Sequence, residues 1–446
     1  MIRSAHWISI VLLLSSPACG EEPLRSRGFI GMGYRAVTQA DADSLRRAPV
    51  GLIVNRVLPN TPAAKAGIQA GDVIRRINAD SIRDETHFKS LLRTVYAGDA
   101  VTLSVIRDGL PRKILVVSES LPRETCDSLD VEYTSFPIKN VRLRAVLVSP
   151  KHSGHKKLPA LLIVSALGSP QLIGTPFYSM TRNLAYAAAA AGFRVLRFEL
   201  RGCGDSEGED YREADFDAEV GDNLAALDWL AGRNDVLSEC VFVFGHSTGG
   251  MEAALLAGRR DLAGLIVSCT VGRTCFERMA ETVRLQDEFA GRSAGEIEES
   301  VRRILLFATA IARGDSLPDI LRSQPAFSEF VNSSGRIMDD RTPAFWRQQL
   351  NLNLAETYEH VGEPTLVVYG ASDFITSKAC HERIRETLSA SGNPDVELRV
   401  IPTMDHTYAF AEDKKTSFFN YRKRDFRENP DGVKTVVDWL VRHAGR

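Results

Sequence analysis

Three residues in the C-terminal two-thirds of the chain have types that together perform nucleophilic acyl chemistry: Ser247, Asp373 and His406. A serine hydroxyl is barely ionised at neutral pH, so it attacks a carbonyl only when a neighbouring base takes its proton. His406 is the candidate base, and Asp373 the carboxylate that sets the imidazole tautomer and stabilises the imidazolium. Ser247 lies in Gly245-His246-Ser247-Thr248-Gly249, a G-x-S-x-G pentapeptide. Small residues there let a strand turn sharply into a helix, and the serine at the tip takes a strained conformation that lifts its hydroxyl clear of the sheet. The next N–H, that of Thr248, falls at a helix N-terminus, where it can stabilise a developing oxyanion. The pentapeptide alone is equally an ordinary glycine-rich turn, so its flanks decide.

Those flanks supply the positioning elements. Val241–Phe244 is a β-branched and aromatic run that predicts a buried strand, and Gly250–Ala257 opens an apolar, alanine-rich helix. Leu366–Tyr369 predicts a strand leading to Asp373, and Leu398–Ile401 another leading to the loop of His406. Asp405 is an alternative acid, but its adjacency to His406 aims its side chain elsewhere. Phe193–Glu199 predicts a strand entering Arg201-Gly-Cys203-Gly-Asp205-Ser-Glu207-Gly208. That turn is no phosphate loop: it lacks the Lys-Ser/Thr ending, and dinucleotide spacing fails at Glu207. From Val131 onward strands and helices alternate, which predicts an α/β fold with a mostly parallel sheet.

An R-G-x-G-x-S-x-G turn two elements before the serine, and the order Ser, Asp, His with each following a strand, resemble the α/β-hydrolase superfamily. The resemblance implies Ser247 as nucleophile, His406 as base and Asp373 as acid, with no cofactor and no metal. It implies a second oxyanion donor in the loop after Leu161–Ser165. Family members often have His-Gly or Gln-Gly where this chain has Ser165-Ala166, and the matching N–H is that of Leu167. About ninety residues before Thr365 show no clear strand but helical periodicity in Phe276–Phe289 and Glu296–Ala312. They predict a helical cap over about 275–360, lining an acyl pocket with aromatic residues that could equally be core.

The N-terminal part is different. Val50–Leu58 suits a strand, and Val101–Arg107 alternates and ends at Asp108-Gly109, a hairpin signal. Phe88, Leu91, Leu92 and Val95 have helical spacing. With Gly28-Phe29-Ile30-Gly31-Met32 and the segment from Pro62 to Ile74, this resembles a small α+β PDZ domain of the kind found in trypsin-like periplasmic proteases, spanning 28–121. By that resemblance Phe29, Ile30, Gly31 and Met32 form a loop whose N–H groups face a peptide C-terminus, beside a groove that accepts an added strand. The alternative is a PDZ fold used as a spacer, since a fold alone does not establish a ligand. Pro122–Asp130 reads as a polar join, and 131–446 as the hydrolase domain.

With 446 residues, 44% hydrophobic and 25% charged, the chain has room for two or three domains. A net charge of −2 gives no whole-chain electrostatic case for nucleic acid or an anionic membrane. Seven cysteines include no C-x-x-C pair and no cluster at metal spacing. Residues 1–20 read as a signal peptide: Arg3, the apolar run Trp7–Leu14, then small residues to Gly20. Cys19 is either the lipidated cysteine of a membrane-anchored lipoprotein or lies just before cleavage after Gly20, and both place the chain outside the cytoplasm, in the periplasm or on a membrane.

Together the two halves resemble an exported bacterial PDZ–α/β-hydrolase family, grouped with serine aminopeptidase-like or acyl-ester hydrolases. The resemblance implies a serine hydrolase that cleaves a carboxylic ester or thioester through an acyl-enzyme, its partners a small acyl substrate and a peptide C-terminus at the PDZ groove. Peptidase activity is the alternative within the enzyme class. A PDZ scaffold with a decayed hydrolase half is the alternative outside it, and three intact triad residues argue against decay.

Overall fold

A computed structural model of the chain describes residues 24–41, 50–153, 156–164, 166, 179–332, 334–423 and 426–445. The signal segment, Cys19 and Leu167 lie outside the described residues.

The first sheet is antiparallel and is built from β1 (Met32–Ala36), β2 (Leu52–Val57), β3 (Val73–Ile77), β4 (Asp80–Ser81), β5 (Ala100–Arg107) and β6 (Leu110–Val117), in the order β1-β2-β3-β5-β6 with β4 on β3. Along β5, Val101, Leu103 and Val105 are buried while Thr102 and Ser104 between them are not, the period of a strand with one covered face. Asp108 (φ 51°) and Gly109 (φ 77°) both take left-handed backbone, which matches the twist of the β5–β6 hairpin. The helix Glu85–Leu92 is capped by Asp84, whose carboxylate accepts the His87 N–H. Its Phe88 is fully buried and meets Tyr34 of β1 edge to face at 5.0 Å. β1 is an edge strand, paired only with β2.

The second sheet holds the chemistry. Its strands are β7 (Leu129–Ile138), β8 (Val141–Pro150), β9 (Leu158–Val164), β10 (Arg194–Phe198), β11 (Val236–His246), β12 (Gly264–Ser268), β13 (Thr365–Gly370) and β14 (Val396–Ile401). They lie in the order β14-β13-β12-β11-β9-β10-β8-β7. The six strands from β14 to β10 run parallel, and β8 and β7 close the edge antiparallel. β10, β12 and β13 are buried at every residue, so β12 and β13 read as apolar runs rather than alternating ones, while β10 carries Arg194 and Arg197 paired with Asp235 and Glu124. Separate apolar clusters cover the two faces.

Between β12 and β13 come the helices Cys275–Phe289, Ala294–Arg313, Leu317–Ser323, Pro343–Leu350 and Leu354–Glu359. The first two open with full capping boxes, Thr274 with Glu277 and Ser293 with Glu296. Phe307, Phe345 and Trp346 are buried to within 1% in this layer and pack as its core, so these aromatic residues hold the helices together instead of lining an open pocket. Arg341 enters that core. Its guanidinium is 3.7 Å from the Phe345 ring and 2.7 Å from the Glu219 carboxylate. Glu219 in turn adjoins Glu252 on the helix after Ser247, and Asn223 donates to Glu252 at 2.5 Å.

The polar join is not a free linker. β7 starts at Leu129, so the expected start at Val131 falls inside a strand. Glu124 pairs at 2.7 Å with the fully buried Arg197 guanidinium, accepts from the Tyr186 hydroxyl, and donates its N–H to Tyr133. A polar composition hid this because a single half-buried carboxylate, facing a buried guanidinium, makes Pro122–Asp130 part of the second domain's packing.

The first domain rests on the Arg201–Gly208 turn. The Arg27 N–H donates to Asp205 at 2.7 Å, and Arg93, just past the helix Glu85–Leu92, pairs with Asp210 at 2.6 Å. Asp210 also pairs with Arg212, and Arg212 with Asp340 before the helix Pro343–Leu350. The turn itself wraps a buried carboxyl. Gly204 has φ 46°, and a Cβ there would sit 2.0 Å from Glu199, whose carboxylate accepts the Asp205 N–H at 2.8 Å. Arg201 is locked bidentate onto Asp222. The R-G-x-G-x-S-x-G pattern is therefore structural in this chain.

Candidate active site

β11 delivers Ser247 and the helix Thr248–Ala257 leaves from it. Ser247 takes φ 54° and ψ −123°, a conformation costly for a non-glycine residue. Its surroundings over-determine it: its N–H donates to Ser268 O at 2.9 Å, and its carbonyl accepts from Gly250 N–H and, at 2.6 Å, from the Thr270 hydroxyl. The flanking glycines are a steric requirement. A Cβ at Gly245 would lie 2.1 Å from Gly249 O, and one at Gly250 would strike Thr270.

The structure brings Ser247, His406 and Asp373 together from across 159 residues of sequence. His406 Nε2 is 3.1 Å from Ser247 Oγ, and His406 Nδ1 is 2.9 Å from Asp373 Oδ2. Asp373 is fully buried, which alone would raise its pKa. The His406 ring, the Thr376 hydroxyl and the Thr376 N–H more than reverse that and hold it well below the ordinary carboxylate range. Asp373 Oδ1 accepts the Ile375 and Thr376 N–H groups at 2.7 and 2.9 Å, and Oδ2 accepts the Thr376 hydroxyl at 2.5 Å. Asp405 is turned away: it accepts from Thr407, Ala409 and Ser417.

Several supporting residues carry no motif. His381 Nε2 accepts the Thr270 N–H at 3.1 Å, so it braces the segment that holds the Ser247 carbonyl. His246 is buried with its ring 5.0 Å from that of His406, and burial first, then the His406 charge, push its pKa down to about 3. A neutral neighbour does not oppose protonation of His406. Only the position of His246 inside the pentapeptide pointed to it. Thr270 and His381 gave no sequence signal, because their partners are backbone groups distant in the chain.

Thr248 opens its helix, so its N–H has no intrahelical acceptor. Cys269, Asp373 and His406 place donor atoms within 4.8 Å of one another. The set does not suit a metal: both His406 nitrogens and both Asp373 oxygens already have protein partners, and burial keeps the Cys269 thiol protonated.

In the first domain, Phe29 differs from expectation. It exchanges hydrogen bonds with Glu119, so its N–H is committed to the sheet rather than turned to a ligand. The Ile30 carbonyl accepts from Ala63, that of Gly31 accepts from Leu58, and Met32 begins β1. Ile30 is buried in the core, and Gly31 (φ 83°) lies against Thr61.

A sequence model of the "serine aminopeptidase, S33" family matches residues 177–413, just over half the chain, and one of the PDZ domain matches 28–117. Among curated proteins, the chain is 32% identical over 154 residues to a "Probable periplasmic serine endoprotease DegP-like" of Pseudomonas savastanoi pv. phaseolicola, covering 33% of this chain and 32% of that protein. It is 36% identical over 106 residues to the Bartonella henselae protein of that description, covering 23% and 21%. The chain thus spans a third or less of the length of these relatives, and the likeness falls in the PDZ region. Among solved structures, an esterase of Pyrococcus furiosus is 15% identical, with 72% of this chain and 96% of that one covered and a TM-score of 0.44. Est1E of Butyrivibrio proteoclasticus is 13% identical, covering 70% and 99%, with a TM-score of 0.42.

Proposed function

Because the chain belongs to the serine aminopeptidase S33 family of α/β-hydrolases and carries a PDZ domain, we propose that it is an exported serine hydrolase of carboxylic esters or thioesters. The supporting observation is the continuous relay from Ser247 Oγ through His406 to Asp373, at 3.1 and 2.9 Å, at the end of a parallel sheet. Ser247 Oγ attacks the acyl carbon while His406 Nε2 takes its proton. The Thr248 N–H, with that of Leu167 as second donor, stabilises the oxyanion. His406 returns the proton to the departing alcohol or thiol, and water, deprotonated by His406, then cleaves the acyl-enzyme. Asp373 keeps Nδ1–H directed at itself, so that Nε2 is free to accept.

Ester or thioester is favoured over peptide by the carboxylates present. An aminopeptidase needs an uncommitted carboxylate for the substrate ammonium, and the two acids nearest His406, Asp373 and Asp405, are engaged by hydrogen bonds. The peptidase reading stands second because the family's description names it. Export, by cleavage after Gly20 or lipidation of Cys19, follows the N-terminal pattern and the periplasmic relatives of the PDZ region. The PDZ groove beside edge strand β1 is proposed as a docking place for a peptide C-terminus.

A serine-directed fluorophosphonate followed by matched acyl esters, thioesters and aminoacyl amides tests the reading. Labelling and a higher kcat/KM on the oxygen or sulfur esters are expected. Preference for the amides would move the assignment to peptidase, and absence of labelling would leave the PDZ scaffold reading.

A further inference from the structure

The helix Lys414–Lys423 begins eight residues after His406 and has two unlike faces. One is built in: Ser417 and Phe418 are buried, and the Phe418 ring lies 5.8 Å from Phe289 and 5.6 Å from Phe374, the residue after Asp373. The other faces solvent. Lys415, Phe419, Arg422 and Lys423 recur at helical spacing along it and are all exposed. Phe426 and Arg427 follow, also exposed. Phe419 and Phe426 are each 37% exposed, large aromatic surfaces for a water-facing segment.

The charges on this face have no salt-bridge partner among the described residues, although the neighbouring Asp413 has its pKa lowered by hydrogen bonds from Thr416 and in part by the Lys415 charge. Lys415, Arg422, Lys423 and Arg427 form no ion pair among the described residues. Exposed arginines elsewhere differ in this: Arg284, Arg302 and Arg322 pair with Glu298, Glu299 and Asp319, while Arg112 and Arg385 form no ion pair among the described residues. Arg422 instead lies 4.5 Å over the Phe418 ring and Arg427 5.1 Å over Phe410. Of the neighbouring acids, Asp425 lies outside the described residues, Asp413 caps the helix by accepting from Thr416, Glu428 accepts from Asn183, and Glu412 is exposed. The chain's net charge of −2 averages this local excess away.

Unpaired cations interleaved with exposed aromatic rings on one helical face have the charge and the apolar reach of an interfacial helix, with the rings at the headgroup boundary and the cations among anionic headgroups. We propose that the face of Lys414–Lys423, continued by Phe426 and Arg427, docks the protein onto an anionic lipid surface. The proposal does not depend on the hydrolase reading. An acidic protein would use the cations but leave two phenylalanines without a role.

The test is co-sedimentation of a chain beginning at Glu21, which keeps every described residue, with phosphatidylglycerol–phosphatidylcholine vesicles and with phosphatidylcholine vesicles alone. Binding to the anionic vesicles, weakened by salt, is expected. The triple variant Lys415→Glu/Arg422→Glu/Lys423→Glu is expected to lower the partition coefficient on the order of a hundredfold. Phe419→Ser/Phe426→Ser is expected to lower it about tenfold, with circular dichroism and the thermal midpoint of both variants checking the fold, since Phe419 also touches Phe418 and Phe426 touches Tyr421. Equal binding to both vesicle types, or none, overturns the proposal by measurements on the unaltered chain alone. Anionic binding lost in the charge variant but unchanged in the aromatic one would assign the face to an acidic macromolecule and overturn it too.

Discussion

Ser247→Ala is expected to lower turnover of a small ester by roughly 10⁴- to 10⁶-fold and to abolish fluorophosphonate labelling. The size follows from the chemistry: without Oγ there is no atom to form the acyl-enzyme, and only oxyanion donors and binding remain. The fold should scarcely respond. The unusual φ of 54° is held by hydrogen bonds to the Ser247 N–H and carbonyl, and alanine retains both. The thermal midpoint should therefore move by no more than a few degrees, a shift on the order of 1 kcal/mol. Intact-mass detection of adduct on the alanine variant would place the nucleophile elsewhere.

Asp373→Asn should cost about 10⁴-fold in kcat while the fold persists, by an argument particular to this site. Oδ1 accepts two backbone N–H groups, from Ile375 and Thr376. An asparagine must put its carbonyl oxygen there, which turns its NH₂ toward His406 Nδ1. That nitrogen must then accept, so the ring's proton moves to Nε2, the nitrogen that should take the proton of Ser247. The imidazole ¹⁵N shifts of His406 would reveal the exchanged tautomer. Asp405→Asn is the control, since Asp405 serves Thr407, Ala409 and Ser417. If Asp405→Asn lost as much activity as Asp373→Asn with the fold intact, the acid would have to be reassigned.

The buried strands and the turn at Ser247 were legible because they depend on local chemistry: continuous apolar runs, small residues at a sharp bend, an aspartate-glycine hairpin. The residues that steady the site were not. Thr270, His381 and Thr376 act through backbone partners or a single neighbour, and nothing in their own surroundings marks them. Glu124 looked like one more charge in a polar stretch, yet it is the carboxylate opposite a buried guanidinium. Phe29 lay in a segment read correctly as part of a small domain, but the cross-strand pairing to Glu119 that takes its N–H is ninety residues away. Fold follows from pattern, whereas the positioning of a site follows from long-range partners that pattern does not encode.

The carboxyls buried at Glu199, Glu219 and Glu252 have a consequence for the protein's proton inventory. Burial raises Glu199 to about 8 despite the Asp205 N–H. It raises Glu219 to about 7 against the pull of Arg341, and burial with the neighbouring Glu219 raises Glu252 well above its ordinary range. An unfolded glutamate titrates near 4.5. Between that value and the raised ones the native state holds protons that the unfolded chain has given up, so folding takes up protons near neutrality. The contribution to stability is complete below about pH 4.5 and is lost as pH rises through 7 to 8. The buried His246 and His381, pushed down from 6.5 to about 3 and about 4, act in the opposite sense as pH falls below about 6.5, and Asp373, whose folded pKa is depressed, does so in more acidic solution. The protein should therefore be most stable on the mildly acidic side of neutral. The heat of unfolding near pH 7, where unfolded histidines are mostly neutral, should also differ between phosphate and imidazole buffers, whose ionisation enthalpies differ, and an identical heat in both would show that these carboxyls do not keep their protons.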